Sequence, residues 1–106
     1  TIEFSESQKA LIERVEVLSD KIEAVAESVE ETRAIAARVR ILRFGDELLE
    51  GRLHSKDTFD QTLLDIDNYE KYCKNHENFK NHVTEETVAL IKEKYRIRLR
   101  KNDFVR

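Results

Sequence analysis

The chain has 106 residues with no proline, no methionine, no tryptophan and two glycines, and 39% of it is charged. That length suits one domain, or one domain with an extension. So few helix breakers exclude an all-β fold and predict long helices. The net charge is −3 and the pI is about 5.7, which argues against a dedicated DNA binder. High charge combined with periodic apolar residues is the pattern of a coiled coil rather than of a disordered chain.

The absence of methionine leads us to expect a piece of a longer product, which leaves room for a targeting or membrane segment ahead of Thr1. Within the chain, no apolar run approaches the roughly 18–20 residues that span a bilayer. The lone cysteine, Cys73, has no partner for an intrachain disulfide and reads as a small buried apolar residue.

The first predicted element is a coiled-coil helix over residues 1–39. Its apolar pattern opens at Phe4. From Leu11 onward it steps by four and three through Val15, Leu18, Ile22, Val25, Val29, Thr32, Ala36 and Val39. In heptad register the a positions are Val15, Ile22, Val29 and Ala36. The d positions are Leu11, Leu18, Val25, Thr32 and Val39. These nine residues are the candidate dimer seam. β-Branched residues at a with leucine at d favour a parallel two-stranded coil, hence a homodimer. Thr32 and Ala36 weaken the second half. Ile12, Val17, Ala26, Ile35 and Ala37 widen the stripe, so a trimer, an antiparallel pair and packing on the chain's own C-terminal part stay open. Ser5 or Ser7 is the candidate cap.

Residues 40–106 are predicted to form a compact three-helix module, with helices at about 40–50, 56–75 and 85–101. The whole is therefore all-α, a long N-terminal coiled-coil helix running into that module. Gly45 is a candidate kink, and Gly51 is the stop of the first of these helices, before the linker Arg52-Leu53-His54. Ser55 is the expected cap of the next helix, whose stripe is Phe59, Leu63, Ile66, Tyr69 and Cys73. Residues 75–83 read as a loop. Thr84 is the expected cap of the last helix, whose buried stripe is Val88, Ile91, Tyr95 and Leu99. Leu42, Phe44, Leu48, Leu49 and Phe79 complete the expected core.

Charge is unevenly distributed. Residues 1–32 carry −6, 33–54 carry +2, 55–82 carry −2 and 83–106 carry +3. Lys92, Lys94, Arg96, Arg98, Arg100 and Lys101 form a candidate patch for anions or nucleic acid, with Arg33, Arg38, Arg40 and Arg43 as its extension. The simpler reading is a solvated helix end whose bases complement the macrodipole.

No catalytic or metal constellation is evident. Asp65-Ile66-Asp67-Asn68 starts like a calcium loop but lacks the sixth-position glycine, and Glu77 misses the twelfth position. Asp60, Asp67, Glu70, His76 and His82 have no metal-ligand spacing on one helical face. Cys73 and His76 lie three apart but lack an orienting group and oxyanion donors. We therefore expect no enzyme, no cofactor and no metal.

Three segments carry a resemblance: Arg40-Ile41-Leu42-Arg43-Phe44-Gly45-Asp46-Glu47-Leu48, then His54-Ser55, then Asp65-Ile66-Asp67-Asn68-Tyr69-Glu70-Lys71-Tyr72-Cys73. The ending Lys101-Asn102-Asp103-Phe104 belongs with them. Together, over residues 40–104, they resemble a family of small proteins encoded by phages and prophages of Gram-positive bacteria. The resemblance implies a location in the bacterial host cytoplasm, near the membrane where an upstream anchor exists, and implies no site residues. The functional expectation is an interaction or scaffold protein that dimerises through its coil and presents the C-terminal module to an unidentified protein partner. The alternatives are a nucleic-acid accessory protein and a membrane-tethered phage protein.

Overall fold

The computed structural model describes residues 5–79 and 82–105, with the backbone alone at residue 82. Phe4, which opens the heptad pattern, and the side chain of His82 lie outside the described residues. Three α-helices follow one another: α1 (Glu6–Leu49), α2 (Lys56–Asn75) and α3 (Glu85–Lys101). A short 3₁₀ turn, His82–Thr84, leads into α3. Among the described residues there is no β-strand, only one isolated parallel bridge between Ser55 and Val105. The all-α expectation holds.

The chain divides into two units, Thr1–Thr32 and Arg33–Arg106. The heptad register explains where the division falls. Through residues 6–31 the b and f positions are acidic except for Lys9: Glu6, Glu13, Glu16, Asp20, Glu23, Glu27 and Glu30. From residue 34 those same two positions become Ala34, Ala37, Ile41, Phe44 and Leu48. Four of these are buried, and Leu48 packs against them. The packed unit thus begins at Arg33, ahead of the expected start at residue 40. Ala34 and Ala37 already belong to its core, because small side chains allow close helix approach.

In the first unit, Ser5 and Gln8 form a reciprocal cap. The Gln8 amide donates to Ser5 Oγ at 3.3 Å, and the Ser5 amide donates to Gln8 Oε1 at 2.8 Å. Every described residue of this unit is exposed.

In the second unit, local chemistry sets each helix end. α1 stops at Gly51, whose φ of +84° suits a residue without Cβ. There the Arg52 amide donates to the Glu47 carbonyl at 2.9 Å and the Gly51 amide to the Leu48 carbonyl at 3.1 Å. Ser55 caps α2 by accepting from the Thr58 amide at 3.2 Å. Asn102, at φ 51°, ends α3 in the same left-handed way as Gly51 ends α1. Thr84 departs from expectation: it is buried and makes no side-chain capping bond to α3, since the 3₁₀ turn already leads into that helix.

The core is Ala34, Ala37, Ile41, Phe44, Phe59, Ile66, Tyr69, Cys73, Val88 and Ile91. Phe59 is its aromatic centre, with ring centroids of Phe44, Tyr95 and Phe104 at 5.0, 5.8 and 5.6 Å. Phe104 reaches that centre because the Val105 amide bonds back to the His54 carbonyl at 3.3 Å. Two expected core residues are corrected. Leu49 is 72% exposed and Leu99 is 50% exposed, both in the last turn of their helices.

Gly45 stays within α1, where the expected kink gives way to a close approach. A Cβ at residue 45 would overlap Thr87 Cγ2 on α3. We expect Gly45→Ala to destabilise by about 1–3 kcal/mol through overpacking, against a helix-propensity gain of about 1 kcal/mol. Urea unfolding of the single variant and of Gly45→Ala combined with Thr87→Ser measures this. The second substitution should return most of the loss by removing the overlapping methyl.

Candidate functional site: an unpartnered heptad seam and a basic cavity

The seam residues Leu11, Val15, Leu18, Ile22, Val25 and Val29 are each 44–63% exposed, and all belong to the first unit. At 1.5 Å per residue they extend along about 27 Å of helix. Thr32 is exposed in the same unit. Ala36 and Val39 fall in the second unit, where Ala36 is half-buried and Val39 is 48% exposed.

The charges around the seam are ordered. The acids of residues 6–31 occupy b, c and f and leave e and g free of negative charge. The g positions hold Arg14 and Lys21, and the e positions Ile12, Ser19 and Ala26. The b and f alternation of glutamate was visible in the sequence and is the signal that marks the solvent-facing side.

The basic residues of α3 do not form one patch. At 100° per residue, Lys94, Arg98 and Lys101 lie along one stripe and Lys92, Arg96 and Arg100 along another. The buried Val88 and Ile91 lie between the two. Arg98 is also engaged, donating to Asp103 Oδ2 at 2.9 Å. Two of the four residues of the expected extension are committed elsewhere. Arg40 grips Asp65 with two bonds of 2.9 and 3.1 Å, and Arg38 lies 5.2 Å above the Phe79 ring.

The Arg40 pair also accounts for Asp65, which sits in mid-helix rather than in a calcium loop. Cys73 is buried, and burial pushes its thiol above the ordinary cysteine range. His76 does not serve it as a base, because its Nδ1 lies 2.8 Å from the Tyr72 carbonyl and its ring stacks on Tyr72 at 3.9 Å.

His54, which reads as a linker residue in the sequence, is a structural element. Its side chain is 8% exposed and stacks on Phe44 with centroids 4.3 Å apart. Its Nε2 lies 3.0 Å from Glu47 Oε2, yet it makes no aligned hydrogen bond among the described residues. Burial lowers its pKa, Glu47 acts in the opposite direction, and Arg52 adds to the lowering. The unfolded chain therefore binds this proton more readily, with a pKa of about 6.5. The stability that His54 contributes is complete above that value and falls as pH drops towards the lower folded pKa. We expect the urea midpoint to decline between pH 7 and 5.5, and His54→Gln to flatten that decline.

His54, Arg52, Lys94, Arg98 and Phe59 line a cavity of about 100 Å³ between the α1–α2 connection and α3. Among the described residues no group of three or more acidic, histidine or cysteine side chains is arranged to hold a metal ion, and no helix is long and apolar enough to cross a membrane. No family model, curated protein or solved structure matches the chain.

Proposed function

We propose that the chain is a non-enzymatic interaction protein that pairs with a second copy of itself through the seam of residues 11–29. The packed residues 33–105 are the module it offers to a further protein partner. One observation carries this reading: six large apolar side chains at unbroken heptad spacing stand exposed on the stretch of α1 that belongs to the first unit, where every described residue is exposed.

The physical argument is one of stability. A helix in a protein draws most of its stability from burying an apolar face, and a lone stretch in water has nothing to bury that face against. A second copy supplies that burial. It also leaves the acids of b, c and f in water and sets the g positions Arg14 and Lys21 beside the second copy's uncharged Ser19 and Ala26 in a parallel pair. Valine and isoleucine at a with leucine at two of the three d positions favour the parallel, two-stranded form. The resemblance of residues 40–104 supports a phage or prophage origin.

Helix content should rise with protein concentration as residues 11–29 pair. Circular dichroism across a hundredfold dilution checks this. A helical signal per residue that stays constant down to a demonstrated monomer would sink the reading.

A further inference from the structure

The cavity beside α3 has a composition that the proposed pairing does not use. Its lining includes three cations, Arg52, Lys94 and Arg98, and no carboxylate. Two acids pair with its rim. Glu47 holds Arg52 Nη1 at 3.3 Å, and Asp103 holds Arg98 Nη1 at 2.9 Å. A guanidinium has five donors, so each arginine keeps others free for a further acceptor. Lys94 makes no ion pair among the described residues, so its charge is uncompensated there.

His54 closes one side of the cavity, with its Nε2 3.0 Å from Glu47 Oε2. Its side chain is more than nine-tenths buried. That imidazole is therefore held against Glu47, and recognition of an anion falls to the three cations. The volume of about 100 Å³ has room for a tetrahedral oxyanion together with bound water. Phe59 makes one wall apolar, which strengthens charge-assisted bonds at the others.

We propose that this cavity is an oxyanion site that takes one phosphate group, free or as the end of a phosphomonoester, held by Arg52, Lys94 and Arg98. This places anion recognition on a concave feature between the α1–α2 connection and one stripe of α3. The second stripe, Lys92, Arg96 and Arg100, has no part in it. The site is therefore selective for a compact group rather than for a polyanion running along the helix.

Isothermal titration of the full chain at low ionic strength tests this with two probes, inorganic phosphate and O-phosphoserine. Saturable binding with a Kd at or below about 1 mM is expected for at least one of them. Arg52→Gln with Lys94→Gln should weaken it by about tenfold or more, while Lys92→Gln with Arg96→Gln leaves it within about twofold. Tighter binding of inorganic phosphate identifies a free ion as the ligand, and tighter binding of phosphoserine an esterified group. Unchanged circular dichroism in both double variants keeps the comparison valid. Should a double variant misfold, Arg52→Lys and Lys94→Gln singly serve instead. An absence of saturable binding overturns the proposal, as does equal weakening by both pairs of substitutions.

Discussion

Replacing Ile22 with aspartate is expected to turn a dimer into a monomer without disturbing the packed module. Ile22 is 62% exposed in the single chain, so its own fold loses almost nothing. In a two-stranded coil the change removes two buried isoleucines at about 1.5–3 kcal/mol each and places two carboxylates face to face. A loss of about 3–6 kcal/mol weakens the dimer by roughly 10²–10⁴-fold. Sedimentation equilibrium reads the dissociation constant directly. Glu23→Ala, one residue along at a b position, is the control and should leave that constant nearly unchanged. If Ile22→Asp and Glu23→Ala behave alike, the seam is not an interface.

The second large effect is in the module. Phe59→Ala should cost about 3–5 kcal/mol, since it deletes a ring that is 1% exposed and leaves a cavity among other aromatics. Domains of this size have total stabilities of about 5–15 kcal/mol, so the variant retains only a fraction of the folded margin. The loss should spread to Phe44, Tyr95 and Phe104, whose rings meet Phe59. It should appear as a lower urea midpoint for the module. Residues 11–29 make no part of this core, so their pairing should persist in Phe59→Ala. The two variants therefore separate the two units: Ile22→Asp abolishes association and spares the module's stability, and Phe59→Ala does the reverse.

The helix ends were legible from residue chemistry because a cap is a local event. Ser55, Gly51 and Asn102 each act on amides or carbonyls within a few residues of themselves. The stripe Phe59, Ile66, Tyr69 and Cys73 was legible because 3.6-residue periodicity selects one face. Depth along that face was not legible. Leu49 and Leu99, each in the last turn of its helix, stand exposed, because the sequence pattern does not record how far along a helix its packing extends.

Ala34, Ala37 and Ile41 were missed for the opposite reason. The heptad reading ran on to Val39 and drew attention to a and d, while burial had already moved to b and f. The replacement of glutamate by alanine at those positions near residue 34 is the signal that separates the two units. His54 carries no local signature at all. Its burial depends on Phe44, ten residues earlier, and on a turn that Gly51 makes. The six bases of α3 looked like one patch because they crowd together in sequence. Helical geometry divides them into two stripes, and only one of these borders the cavity.

Pairing of two copies of the chain through residues 11–29 fixes the mass of the protein in solution. The most direct measurement is the mass of the full chain at tens of micromolar by light scattering after size exclusion. A mass of twice the 12.5 kDa chain is the expected result, falling to a single chain for Ile22→Asp. A single-chain mass for the unaltered protein at that concentration would contradict it.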